Sequence, residues 1–427
     1  MPEQQGYVPP EAKLTPTTVT TETSEIVFGP DVYLALFDKP ADILDSLPEI
    51  HRGYFVTLRQ EIIDFMQGRG IPRDALTKPD ALREAASELS APDLTQLANI
   101  LERFEYLLKN KEPKKEDYTE ALEHAERLYH LKEQYTSQVF LLEQVGILKE
   151  GEITGIDGND YPIPTLEEIA TRLFEQRETL KTKHDQGFTK LLLVPFGMSL
   201  DALQETLKQF LFSYKQNNPS FYLDINQPLW ARGEYQGADI GDSPKLVYEV
   251  RSFEADDHQG KTKIEILEEE NTLYRVHGDG ERKAWTVHLL QPSDPSNPDS
   301  LGFAPIPQEG QGKVQGDLTP RPPFEAGKTP KEYLSIFQEA HDDPNSPYFQ
   351  ESGMTPEDWI MAFMTHLEEI GRPLDEDQYT WLTGASFSSS IDVPSVGWRK
   401  DMRSVSLVCG DPRARYREMG TRSGIIV

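Results

Sequence analysis

The chain has 427 residues, 37% hydrophobic and 10% aromatic, enough for more than one buried core at roughly 100–200 residues per domain. Its formal net charge of −29 argues against broad binding to a phosphate backbone, so nucleic acid is not an expected partner. A lone cysteine, Cys409, excludes an intrachain disulfide framework and a cysteine-based structural zinc site, and it fits a reducing compartment.

Met1 to Lys13 are polar and lack the basic start and apolar stretch of a secretory signal. No later run approaches about 18 apolar residues, so a cytoplasmic location without membrane insertion is expected. Residues 1–28, rich in Thr, Glu and Pro, are expected to be a flexible tail. Phe55, Leu58, Ile62 and Phe65 fall at helical steps that stop near Gly68. Ser90-Ala-Pro-Asp93 then reads as a helix start, followed by Leu94, Leu97, Leu101, Phe104 and Leu108 on one face. After a charged break, Tyr118, Ala121, Ala125, Leu128, Leu131, Tyr135, Val139 and Leu142 recur in steps of three or four, predicting one helix of about seven turns. The expectation for 29–150 is a helical domain in which these last two helices pair as an antiparallel hairpin, a structural element or a route to a homo-oligomer.

Residues 151–185 read as a linker and helix, the helix opened by the capping box Thr165-Leu-Glu-Glu168. Lys190-Leu-Leu-Leu-Val-Pro195 reads as a buried strand, and Ser199 caps a helix carrying Leu203, Leu207, Phe210 and Leu211 on one side. Short strands are expected at Lys245–Val250 and Trp285–Leu290. Thr329-Pro-Lys-Glu332 and Thr355-Pro-Glu-Asp358 announce two more helices, the second a core helix through Trp359, Ile360, Phe363 and Leu367. The fold class expected is α+β.

The chemistry-bearing residues form no catalytic or metal motif. The nine histidines include no H-E-x-x-H pair, and His366-Leu-Glu-Glu369 reads as polar-face decoration rather than a ligand pair. Gly310-Gln-Gly-Lys313 lacks the upstream glycine and following hydroxyl of a phosphate loop, and Asp157-Gly-Asn-Asp160 has Pro162 where a calcium loop needs glycine. Ser386, Ser388, Ser389 and Ser390 lie outside any G-x-S-x-G elbow. No catalytic residue, metal site or cofactor is assigned, and the chain is read as a non-enzyme.

The segment from Trp381 to Val427 carries the most information. It holds seven bases against four acids, a locally cationic end on an acidic body. Trp381, Phe387, Trp398, Leu407 and Ile425 to Val427 are spaced as buried anchors, with polar residues between them expected to project outward.

Gly384-Ala-Ser-Phe387, Val393-Pro-Ser-Val-Gly-Trp398, Asp411-Pro412 and Gly420-Thr-Arg422-Ser423, in that order, resemble the variable proteins of bacterial diversity-generating retroelements. Those proteins carry a C-type-lectin fold related to formylglycine-generating enzymes, and the likeness extends over roughly 186–427. The resemblance implies a C-type-lectin-like mixed domain whose C-terminus, about 381–427, is diversified to bind a macromolecular ligand, here expected to be a protein. It places the contacts at Ser388, Ser390, Ser395, Arg399, Lys400, Ser404, Ser406, Arg413, Arg415 and Tyr416, a Ser, Arg and Tyr mixture of the kind paratopes use. Sulfatase-activating relatives use a cysteine pair, which this chain lacks. An enzyme on that scaffold with an unrecognised site, or an oligomeric structural scaffold, are the alternatives.

Overall fold

The computed structural model describes residues 30–48, 51–71, 89, 91–111, 114–241, 244–254, 258–269, 284–376, 378–388 and 390–427. The expected tail 1–28 and the Ser90 cap lie outside them. The chain is α+β, with a helical N-terminal part and mixed layers after it.

The first buried core is built by α1 (Pro30–Tyr33), a following π-turn, α2 (Pro40–Asp45), α3 (Arg52–Gly68) and α4 (Ala91–Asn110). Phe55, Leu58 and Ile62 of α3 meet Leu97, Leu101 and Phe104 of α4, and the Phe55 and Phe104 rings lie 5.2 Å apart. The stretch expected as one seven-turn helix is two, α5 (Lys115–Tyr129) and α6 (Leu131–Gln144), broken at His130, whose φ is +49°. Their apolar residues join a different core, in which α5 packs on α7 (Leu166–Glu175). The antiparallel hairpin expected within 29–150 is therefore corrected. Apolar residues up to Leu108 belong to the first core and those of α5 and α6, from Ala121 onward, to the second, so the two cores divide the chain between these positions.

Residues 151–164 form a small hairpin, β1 (Glu152–Thr154) and β2 (Asp160–Pro162), around the Asp157–Asn159 turn, in place of a plain linker. After α7, capped by Thr165 and Glu168 as expected, come α8 (Arg177–Asp185) and the fully buried strand β3 (Lys190–Val194). Strand β3 is a sheet edge whose free backbone groups need partners. Helix α6 supplies them with two glutamines one turn apart. Gln134 accepts from Leu191 N at 2.8 Å, while Gln138 accepts from Leu193 N at 2.7 Å and donates to Leu191 O at 2.5 Å.

The elements that follow include α9 (Leu200–Asn217), β4 (Leu229–Ala231), β5 (Leu246–Tyr248), β6 (Thr286–Leu290), α10 (Pro330–His341), β7 (Glu351–Gly353), α11 (Pro356–Ile370), β8 (Tyr379–Trp381), β9 (Ala385–Phe387), β10 (Val393–Arg399), β11 (Ser404–Gly410), β12 (Met419–Thr421) and β13 (Ser423–Ile426). They make a five-stranded sheet ordered β12-β8-β10-β11-β4, a four-stranded sheet ordered β3-β6-β13-β7, and the pair β5-β9. Helix α11 packs against both β3 and β10, and every residue from Pro356 to Leu367 is buried. His366 is accordingly no polar-face residue. Its Nδ1 accepts from Phe303 N at 2.9 Å, and Glu369 pairs with Lys190 at 2.8 Å while holding Gly302 N. No helix among the described residues is long and apolar enough to cross a membrane.

Candidate functional site

Strands β10 to β13 come from the C-terminal segment and β8 ends at its start, so the segment supplies the middle of the five-stranded sheet and one of the two middle strands of the four-stranded sheet. Residues directly opposite in neighbouring strands share a face. Ser395 stands opposite Trp381 and Val408, Gly397 opposite Ser406, Arg399 opposite Ser404, and Ser406 opposite Trp230. One face of the five-stranded sheet thus carries Tyr379, Trp381, Ser395, Gly397, Arg399, Ser404, Ser406 and Trp230. The other carries Val396, Trp398, Val405 and Leu407 and closes on α11, with the Phe363 and Trp398 rings 6.3 Å apart.

The ten expected contact residues divide on this frame. Ser395, Ser404 and Ser406 are only 1%, 3% and 2% exposed, which corrects the expectation that they project to solvent. They are small side chains on central strands, overtopped by larger neighbours. A β-carbon at Gly397 would stand 2.6 Å from Tyr379 Cδ1, and one at Gly410 would stand 3.0 Å from Trp381 Cη2, so these rings lie across the strip of small residues. The Trp381 end is further closed by Phe253, Phe324 and Phe337.

Of the other seven, Arg399 ends strand β10 and the rest lie on turns and loops. Ser388 is half-buried and donates to Lys245 O at 3.0 Å, whereas Ser390 is exposed beside Asp392. Arg399 and Lys400 flank the β10–β11 turn, and Arg413, Arg415 and Tyr416 occupy the loop before β12. The structure brings these into two separate groups rather than one patch. Arg399 holds Asp401 at 2.7 Å, and Lys400 lies 3.6 Å from Glu376. Arg413 lies 3.4 Å from Glu254, Arg415 meets Glu332 of α10 at 2.5 Å, and the Tyr416 ring stands 6.2 Å from that of Trp381.

These pairings correct the picture of a cationic end. Acids distant in sequence, Glu254, Glu332 and Glu376, converge on the bases, so the surface is mixed in charge. Hydrogen bonding to Lys331, with the Arg413 charge adding, holds the Glu254 carboxyl below its ordinary range. Hydrogen bonding to Arg399 does the same for Asp401. Arg422, the remaining base of the closing motif, is buried against Asp375. Burial raises the Asp375 carboxyl, but the Arg422 charge and hydrogen bonds outweigh it and hold it low.

Sequence reasoning missed several members of this surface. Trp230 is 37% exposed on the three-residue strand β4, too short for an alternation signal. Met402 is exposed at the tip of the β10–β11 turn, where the Arg403 guanidinium lies 5.1 Å over the exposed Tyr222 ring. Burial pushes the Cys409 thiol up to about 12, which keeps it protonated and a poor nucleophile. Among the described residues no cluster of three or more His, Cys, Asp or Glu side chains is arranged to hold a metal ion. Comparison with protein-family profiles, with curated proteins and with solved structures finds no match to this chain.

Proposed function

We propose that this chain is a ligand-binding display protein without catalysis, of the kind represented by the variable proteins of diversity-generating retroelements. On this reading residues 186–427 are a C-type-lectin-like domain. Its binding surface is the exposed part of the C-terminal segment: Ser390, Arg399, Lys400, Arg413, Arg415 and Tyr416, extended by Trp230 and Met402. The ligand is a folded protein, the compartment is the reducing cytoplasm, and neither nucleic acid nor a membrane is engaged.

One observation carries the reading. The segment that supplies central strands to both sheets also presents turns whose side chains reach solvent, so those side chains can change while the buried strands stay. Arg and Tyr on a rigid support lose little conformational freedom on binding, which favours them as anchors. Ser395, Ser404 and Ser406 leave the binding set because they are buried.

The test is a library of the full chain randomised at Ser390, Arg399, Lys400, Arg413, Arg415 and Tyr416 and selected against a panel of folded proteins. Recovered binders that melt within a few degrees of the parent support the proposal. A library that mostly fails to fold, or yields no binder from any target, counts against it. A second reading, an oligomeric scaffold, is favoured by Phe140, 65% exposed on α6. Light scattering of the parent and of Phe140→Asp tests it: a larger species that dissociates on substitution supports self-association through the helical region.

A further inference from the structure

A cavity of about 550 Å³ lies away from the display turns, between the 291–296 and 303–307 loops, the 311–324 loop and the β12–β13 junction. Its volume falls within the roughly 300–1,000 Å³ of small-molecule sites. Phe303, Ile306, Pro323, Phe324 and Met354 give it an apolar wall. Arg321 and Lys313 line it as well.

Behind this wall sits an unbalanced group of charges. Glu351 is met on one oxygen by Lys183 Nζ at 2.8 Å and Arg321 Nε at 2.7 Å, and on the other by Arg321 Nη2 and Ser423 Oγ, each at 2.6 Å. The side chains of Lys183, Arg321 and Glu351 are 3%, 3% and 0% exposed, so two cations share one carboxylate almost out of water. Burying an unmatched charge is expensive, and such groups are normally paired. The rings of Phe188, Phe324 and Tyr348, each 5.0 to 5.4 Å from the Arg321 guanidinium, offset part of this excess. They do not remove it. Arg321 Nη1 has no hydrogen-bond acceptor among the described residues, and Lys313, exposed at the cavity, makes no contact ion pair among them, although its charge acts on Asp294 of the same lining.

The geometry points to a small-molecule site for an organic carboxylate with an apolar body. Its carboxylate would be received by Arg321 Nη1 with Lys313 adding charge at the mouth, and its body would lie on Phe303, Ile306 and Phe324. The bound anion would supply the charge missing from the Lys183–Glu351–Arg321 group through a charge-assisted hydrogen bond from Nη1, because Nε and Nη2 are already held by Glu351 and Ser423. This site is independent of the display surface, because none of the exposed turn residues lines the cavity.

Calorimetric titration of the full chain with 3-phenylpropionate, 3-phenylpropan-1-ol and inorganic phosphate tests it. The expected result is submillimolar binding of 3-phenylpropionate, at least tenfold weaker binding of the alcohol, and phosphate weaker than the carboxylate. Lys313→Gln alters an exposed side chain and should leave the melting temperature unchanged while weakening 3-phenylpropionate at least threefold. Arg321→Lys, which keeps a cation for Glu351 but removes Nη1, should abolish measurable binding. No binding of 3-phenylpropionate, an alcohol as tight as the acid, phosphate as tight as the acid, or full affinity in folded Lys313→Gln would each overturn the assignment.

Discussion

Arg422, at the junction of β12 and β13, closes on Asp375 through its Nε, 3.0 Å from Oδ1, and through Nη2 on the same carboxylate. Asp375 also accepts from Trp359 Nε1 at 2.8 Å and from the Thr380 hydroxyl, so one buried carboxylate ties α11, β8 and the last two strands together. The arginine of the closing motif therefore holds the frame and does not contact a ligand from solvent. Removing one partner of a buried pair strands the other charge, at about 3–5 kcal/mol. Arg422→Ala should lower unfolding stability by that amount in urea melts, and Arg422→Lys, which keeps a cation beside Asp375, should recover part of it. A loss below about 1 kcal/mol in Arg422→Ala would show that the pair contributes little.

The strip of small residues across β10 and β11 separates structural from displayed positions. Ser406 lies between Gly397 and Trp230 with 2% exposure, so Ser406→Tyr must displace its neighbours. Overpacking of this kind costs about 1–3 kcal/mol. Arg413→Ser, on an exposed loop, should stay within about 0.5 kcal/mol of the parent. Thermal melts of the two variants check the contrast, and equal effects would erase the division.

His366 should make stability depend on pH. Burial first, then the Arg422 charge, lowers its pKa from 6.5 to about 4. The unfolded ring takes up a proton below about 6.5 while the folded ring stays neutral, so this contribution is complete above that pH. It is lost as pH falls from about 6.5 toward 4, to a limit of about 3 kcal/mol. Urea melts at pH 7.5 and pH 5 should show a steeper decline for the parent than for His366→Gln. Parallel declines would remove His366 as the cause.

His130 breaks the helix at φ +49°, and its exposed ring lies 3.5 Å from Asp299. A residue with a β-carbon in this left-handed region is strained by about 1–2 kcal/mol, which glycine relieves. His130→Gly should raise the melting temperature slightly, by the equivalent of about 0.5–1 kcal/mol. A fall instead would mean that chain entropy dominates at this junction.

Much of the architecture was legible along the chain because its signals are local. The Thr165, Thr329 and Thr355 capping boxes form as the spacing implies, and the apolar faces of α3, α4, α9 and α11 are the buried ones. Strands β3 and β6 were visible as apolar runs, whereas the three-residue β4, which places Trp230, was not. The resemblance drew attention to the segment that supplies central strands to both sheets, but it could not separate the buried serines from the exposed ones.

Sequence alone thus determined the α+β class, most of the helices and the anchor positions other than Ile426, which is 48% exposed, since periodicity and capping act over a few residues. Tertiary structure alone decided what covers what. It assigned α4 to α3, turned Ser395, Ser404 and Ser406 inward, neutralised the basic tail with Glu254, Glu332 and Glu376, and gathered Lys183, Arg321 and Glu351. Each of these outcomes depends on groups far apart in the chain meeting in space, where burial and Coulomb attraction act regardless of sequence separation.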